Sequence, residues 1–363
     1  MVRVRSCEMR WRTVFDQPAM TIIRNFSPRM ALASKMRRAE NAAGNLYVDA
    51  SCIDCDTCRW MAPETYGRAG TKSVVYQQPS SVAQKALALA AVVACPTGSI
   101  RTETNEPAMR SAVDSFPLPI DAARLPNVYH LGYHCRHSFG ATPYLLRTPA
   151  ANVVVDAPRF SGRLARQLDA IGGVDHMLLT HMDDVGDMNR WKQRYPGMNR
   201  VMHAADVRTA AQWPYIDMTA VETQLDGDGP WALDGVAGVT IVGTPGHSRG
   251  SLSFLADAAV CGGGEGAVFT GDHFCFSGRL GRLDGMARYG WDVATQAESI
   301  AKLADLDFLW VLPGHGRRAR FASAAERAAA MRKAAREFAA DPLGQRAPGY
   351  VAPETEAARQ RAW

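Results

Sequence analysis

The chain has 363 residues, 47% hydrophobic and 21% charged, with 41 basic against 36 acidic side chains and a net charge of +5. That length accommodates two domains with a sizeable core, and no apolar run approaches the length that would span a bilayer. The mild positive charge gathers near the two ends rather than with aromatics on one element, so neither a nucleic-acid nor a membrane partner is expected.

Residues 1–38 are rich in arginine and methionine and poor in acids. The composition suits an organellar transit peptide, a disordered extension, or a later start at Met20 or Met30. Residues 1–44 are therefore read as an extension, and the remainder as cytoplasmic, with an organellar alternative. Leu46-Tyr47-Val48 reads as a short strand, followed at once by a dense cysteine loop. Residues 73–76 read as a strand, 81–93 as an alanine- and leucine-rich helix, and Ile100 as part of a last short strand. The polar stretch 102–108 reads as a linker, which makes 45–104 one module and 115–340 another.

From Val128 onward strand-like runs (144–146, 153–155, 177–179) alternate with helical ones (162–171, 188–194). Further strands are expected at 239–242, 252–255, 267–270 and 308–312, with helices at 293–303 and 323–339 and a loose tail from 341 to 363. Distinctive residues cluster where strands end. The pattern describes an α/β layered domain whose site lies on strand-end loops.

Cys52, Cys55 and Cys58 sit on one tight loop with two-residue spacers, and Cys95, followed by Pro96, closes a helix. Three thiolates on a loop plus one remote Cys-Pro suit an iron–sulfur cube, whereas zinc ribbons present two separated Cys-x-x-Cys pairs. Asp54 and Asp56 read as loop-surface charges, and Cys7, Cys135, Cys261 and Cys275 as ordinary residues. The segment resembles single-cluster ferredoxins over residues 45–100, a likeness that implies one [4Fe–4S] cluster held by Cys52, Cys55, Cys58 and Cys95.

Four further signals follow in order: Thr180-His181-Met182-Asp183-Asp184-Val185-Gly186-Asp187, Gly246-His247-Ser248-Arg249, Thr270-Gly271-Asp272, and Pro313-Gly314-His315-Gly316. Each is weak alone; their order at successive strand ends is specific. Together they resemble the metallo-β-lactamase superfamily over residues 128–339, which implies an αββα sandwich preceded here by the small α+β ferredoxin-like domain. The resemblance carries His181, His247, Asp272 and His315 over as metal ligands. Asp183 stands where the superfamily's second histidine falls, and Val185 and Gly186 occupy its next Asp and His positions. A subfamily with Thr-His-x-Asp-Asp-Val-x-Asp-His, often fused to a ferredoxin, is closer still, although Met188 replaces its final histidine. One metal is thus expected at His181, Asp183, His247 and Asp272, and a weaker or empty second position at Asp187, Asp272 and His315.

Imidazole and carboxylate donors suit zinc, iron or manganese. Asp184 is read as a proton-shuttling or capping carboxylate and Asp187 as a second candidate catalytic acid. Arg249 is read as a contact for an anionic substrate or a partner for a neighbouring acid. His130, His134, His137 and His203 match no ligand spacing. The expected activity is hydrolysis of a small ester, thioester, amide or phosphoester. The alternatives are a redox protein passing electrons from the cluster to an iron site, which would need a redox partner, and a non-catalytic binding or sensor protein.

Overall fold

The computed structural model describes residues 35–210 and 217–344; the segment up to residue 34, Cys7 and the tail from 345 onward lie outside the described residues. The small module comprises β1 (Leu46–Val48), α1 (Thr57–Met61), β2 (Tyr66–Ala69), β3 (Lys72–Val75), α2 (Val82–Ala94) and β4 (Ile100–Thr102). β1 pairs antiparallel with β4, and β2 with β3. α2 begins at a capping box in which the Ser81 hydroxyl accepts the Gln84 amide and the Gln84 side chain returns to the Ser81 amide. The module starts earlier than residue 45: Asn41 Oδ1 accepts the amides of Val48 and Val75, both at 2.9 Å, so residues around 41 belong to it rather than to an extension.

After α3 (Met109–Asp114) come β5 (Leu118–Asp121), β6 (Leu125–His130), β7 (Tyr144–Arg147), β8 (Asn152–Val155), α4 (Gly162–Asp169), β9 (His176–Leu178), α5 (Met188–Arg194), β10 (Asn199–His203), α6 (Ala204–Ala210) and β11 (Thr223–Leu225). These strands form a seven-stranded sheet in the order β11-β10-β9-β8-β7-β6-β5, parallel from β8 to β11 and antiparallel from β5 to β8. The second half holds β12 (Trp231–Ala232), β13 (Val239–Gly243), β14 (Leu252–Ala256), α7 (Ala258–Cys261), β15 (Ala267–Gly271), β16 (Cys275–Ser277), β17 (Arg282–Asp284), α8 (Val293–Leu303), β18 (Trp310–Pro313), β19 (Ala319–Arg320) and α9 (Ala324–Ala340). Its six-stranded sheet runs β12-β13-β14-β15-β18-β19.

Side chains alternate across each sheet and so feed two cores at once. Tyr144, Leu146, Val153, Val155, Leu178 and Val201 meet Ile241, Phe254, Phe269 and Leu312 between the sheets. Their neighbours Leu145, Val154, Met177 and Met202 turn outward beneath α4 and α5, and Val242, Val268 and Val311 face α8 and α9. The result is the expected αββα sandwich. One departure concerns the linker. A single apolar cluster runs from Leu46, Leu89 and Ile100 through Phe116 and Leu131 to Val154, Leu168 and Trp191. The small module is therefore part of the outer layer of the first sheet, not a separate bead. Among the described residues no helix is long and apolar enough to cross a membrane.

Candidate metal centres

The cysteine loop turns sharply at Asp54 and Asp56, both left-handed with φ of 63° and 64°, a conformation that aspartate tolerates better than most residues. It is braced from beneath. The buried Asp54 carboxylate binds Arg59 at 2.7 Å and Arg68 at 2.6 Å, and Arg59 also holds Asp56 at 2.5 Å. Both aspartates are thus scaffold rather than free surface charge. Cys52, Cys55, Cys58 and Cys95 line one small cavity together with Val48, Ile53 and Ile100, and all four are unbridged thiols. Cys52 Sγ accepts the amides of Asp54 and Ser73, each at 3.4 Å. Burial, with the Cys95 sulfur beside it, pushes the Cys55 thiol up to about 12. Four convergent sulfurs around one small cavity, one of them already accepting two backbone amides, fit a cluster whose iron would replace the thiol protons.

The second centre lies where strands of the two sheets end. β9 delivers Thr180 and His181, β13 leads to His247, β15 to Asp272 and β18 to His315. Donor atoms of His181, Asp183 and His247 lie within 4.8 Å of one another, as do those of His181, Asp184 and Asp272. Asp272 is the hub: its Oδ2 is 3.9 Å from His181 Nε2 and 3.8 Å from His247 Nε2, and its Oδ1 accepts His315 Nδ1 at 2.7 Å. The buried His181 Nε2, Asp183 Oδ1, both Asp184 oxygens and His315 Nε2 have no hydrogen-bond partner among the described residues. Buried polar atoms are rarely left so, and those of His181, Asp183 and Asp184 belong to the two close groups just described, which fits a cation among them; His315 reaches the centre through Asp272.

The histidines are aimed by what their other nitrogens do. His181 Nδ1 is 3.1 Å from Thr180 Oγ1, which donates to Asp156 at 3.0 Å, so Nε2 is left for the site. His247 Nδ1 donates to the Met286 carbonyl at 3.2 Å with the same effect. Burial pushes His181 down to about 3, so its imidazole is neutral and ready to ligate. Burial also pushes Asp183 up to about 6, and raises Asp184, reinforced there by Asp272, Asp156 and Asp183. At Asp272 burial is outweighed by His315, His181 and His247, which hold the carboxyl well below its usual range. An unscreened group of acids like this suits a divalent ion.

Two buried carboxylates without motif spacing organise the loops. Asp156, at the end of β8, accepts the Thr180 amide at 2.8 Å. Asp206 accepts the Met182 amide at 3.0 Å, the Ser248 hydroxyl at 2.6 Å and the Gly250 amide at 2.6 Å, so it ties the His181 loop to the His247 loop. Gly271, at φ 50°, lets β15 close on Thr180; a Cβ there would sit 2.4 Å from Thr180 Oγ1.

Asp187 departs from expectation. Its Oδ2 accepts the Phe160 amide at 2.8 Å and its Oδ1 faces His137, so it is not grouped with Asp272 and His315. The reason is a shift of three residues: the 181–187 turn is tight enough for Asp184, not Asp187, to reach Asp272, and Asp187 lies at the start of α5. Arg249 pairs with no acid among the described residues; its guanidinium lies 4.5 Å over the Trp291 ring, and Trp291 donates its amide to the His247 carbonyl. His203 bonds the Gly227 carbonyl. His130 and His134 bond each other, Nε2 to Nε2, at 2.7 Å.

Residues 48–102 match the family model described as the 4Fe-4S single cluster domain of Ferredoxin I. The larger part has the two-sheet architecture of the metallo-β-lactamase fold, with its candidate ligands on strand-end loops. Over 66% of this chain and 94% of the other, it is similar to a metallo-β-lactamase with a HARLDQ motif from Cronobacter sakazakii (18% identity, TM-score 0.42). It is also similar to a metallo-β-lactamase family protein from Thermus thermophilus (19% identity, 61% and 81% covered, TM-score 0.43). A third likeness is to the metallo-β-lactamase FIM-1 from Pseudomonas aeruginosa in its mono-zinc form (18% identity, 55% and 84% covered, TM-score 0.40). No curated protein matches the chain.

Proposed function

We propose that the larger part is a metal-dependent hydrolase of a small ester, thioester, amide or phosphoester. His181, Asp183 and His247 would hold a first divalent ion. Asp272 would lie between that position and a second beside Asp184, with His315 held against it through its other oxygen. The observation that carries this reading is the grouping of His181 donor atoms within 4.8 Å of those of Asp183 and His247 and of those of Asp184 and Asp272, with His181 Nε2, Asp183 Oδ1 and both Asp184 oxygens buried and unpartnered among the described residues. Such an ion would supply a bound water with its pKa lowered to about 7 and a Lewis acid for the substrate oxygen. The chain's own residues do the positioning. Thr180 and Asp156 fix the His181 ring, Met286 fixes His247, and Asp206 keeps the two ligand loops in register. Arg249, stacked on the half-exposed Trp291 beside the His247 loop, offers its charge to an anionic substrate group.

The test is turnover of an ester, thioester, amide and phosphoester panel by zinc-, manganese- and iron-loaded full-length protein, with His181→Ala as control. Turnover of one class, lost together with metal in His181→Ala, is expected. Failure of all classes by the loaded protein, or an unchanged metal content in His181→Ala, overturns the reading.

Specific contacts favour a second reading, electronic communication between the centres. Arg317, two residues past His315, binds Asp56 of the cysteine loop at 2.9 and 3.3 Å. Cys55 Sγ is 3.4 Å from Thr57 Oγ1, which is 3.3 Å from His134 Nδ1. His134 Nδ1 also lies 2.7 Å from the Gly140 carbonyl, and Thr142, two residues on, donates to the Gly314 carbonyl at 2.7 Å. A cluster potential that shifts when the larger site is loaded with metal supports this reading; an identical potential removes it.

A further inference from the structure

Outside both centres, the loop between β6 and β7 places Cys135, two residues before His137, beside Asp187 at the start of α5. The sulfur, an imidazole nitrogen and a carboxylate oxygen of these residues lie within 4.8 Å of one another. His137 Nδ1 is 4.0 Å from Asp187 Oδ1, while the other Asp187 oxygen is fixed by the Phe160 amide at 2.8 Å. The orientation of the carboxylate is therefore set, with Oδ1 turned to the cysteine and histidine.

Three features go beyond chance proximity. Burial raises the Cys135 thiol above its ordinary value and the Asp187 carboxylate adds to this, while the neighbouring His137 and Ser138 backbone opposes it, so the sulfur and the carboxylate share one small environment. The approach of the second segment is also built in. Gly186, at φ 41°, has no space for a side chain, since a Cβ would lie 2.5 Å from the Ala157 carbonyl and 3.2 Å from Cys135 Cβ. That bare backbone lets the 181–187 turn lie flat against Cys135 and delivers Asp187 to it. Finally, the Ser138 hydroxyl, 1% exposed and 3.1 Å from the same Gly186 point, has no partner among the described residues.

We infer that Cys135, His137 and Asp187 form a separate site for a borderline-soft divalent cation, with zinc the ion best matched to one sulfur, one nitrogen and one oxygen donor. Zinc ligand bonds of about 2.0–2.3 Å require the three donors to draw in modestly from their present spacing, which the exposed His137 ring can do by rotation. The buried Cys135 supplies the sulfur from within, and the exposed His137 supplies the nitrogen from the solvent side. The ion would clip the 133–140 loop to the start of α5. This loop also carries the His134 and Gly140 contacts to the cysteine loop, so the clip lies between the two larger centres.

The test uses full-length, cluster-loaded protein and zinc alone, with metal counting and competition against a chromophoric zinc chelator for wild type, Cys135→Ser, His137→Ala and His181→Ala. His137 is solvent-exposed, so His137→Ala leaves folding intact and keeps the test decisive if Cys135→Ser is unstable. Wild type is expected to hold one zinc equivalent more than His137→Ala or Cys135→Ser, or to bind that equivalent at least about tenfold more tightly. His181→Ala should retain it. Cadmium should give a thiolate-to-metal difference band in wild type that is lost in Cys135→Ser. Equal zinc content and affinity in wild type and His137→Ala overturns the site. Loss of the same equivalent in both His137→Ala and His181→Ala overturns its separateness.

Discussion

Asp206→Asn probes how the catalytic-type loops are held, because this carboxylate touches no expected metal position yet joins two ligand-bearing segments. Asparagine keeps one oxygen, which can still accept the Gly250 amide. Its amide nitrogen replaces the oxygen that receives the Met182 amide and the Ser248 hydroxyl. Ser248 can turn to accept, with Ser251 already 2.8 Å away, but the Met182 amide then meets another donor. A lost hydrogen bond to a charged acceptor costs about 1.5–3 kcal/mol, so the variant should lose roughly 2–4 kcal/mol in all. In urea that lowers the unfolding midpoint by roughly 1 M. Met182 lies between His181 and Asp183, so metal affinity should also fall about 10–100-fold, as for other outer-shell partners. Paired urea titrations and chelator competition measure both. A midpoint and a metal affinity both equal to wild type would refute the idea that Asp206 holds the loops in register.

Other expectations follow from the same structure. Cys95→Ala should bleach or convert the brown cluster, with acid-labile sulfide and visible absorbance as the readout; a colourless wild type carrying zinc and no sulfide would contradict the cluster assignment. Glu222, which faces Arg200 and Lys192, is held down to about 2 because Arg200 outweighs the opposing effect of burial. Its pKa is lowered on folding, so its contribution is present above about 4.3 and fades as pH falls toward 2; Glu222→Gln should flatten acid unfolding in that window, and parallel curves would refute this. Removing residues before 115 takes Leu89 and its neighbours from the shared apolar cluster and should expose Phe116 and Leu131, lowering thermal stability and raising dye binding; an equally stable fragment would restore the picture of two independent modules.

Much of this was legible because patterns and sites repeat at strand ends. The strands at Tyr144, Val153, Val239 and Ala267 announce themselves by continuous apolar runs, since strands buried on both faces need apolar residues on both. His181, Asp183, His247 and Asp272 come together as their order implies. The assignment of Asp187 failed because a shift of three residues within a loop is invisible to motif spacing but decides which acid reaches Asp272. Asp156 and Asp206 were missed because their partners are backbone amides more than twenty residues away. Only the acid closing Val153-Val154-Val155-Asp156 offered a hint. The short β2, β16, β17 and β19 carry too few residues for periodicity to show. Cys135 looked ordinary because its neighbours are two residues and half a domain away at once.

The brace of Asp54, Arg59 and Arg68 beneath the cysteine loop bears on the order of assembly. A loop drawn into its curve by protein charges does not wait for iron and sulfide to shape it. These ion pairs are made of protein charges alone, so this part of the receptacle is expected to keep its curve when the cluster is lost by oxidation and to accept a new one.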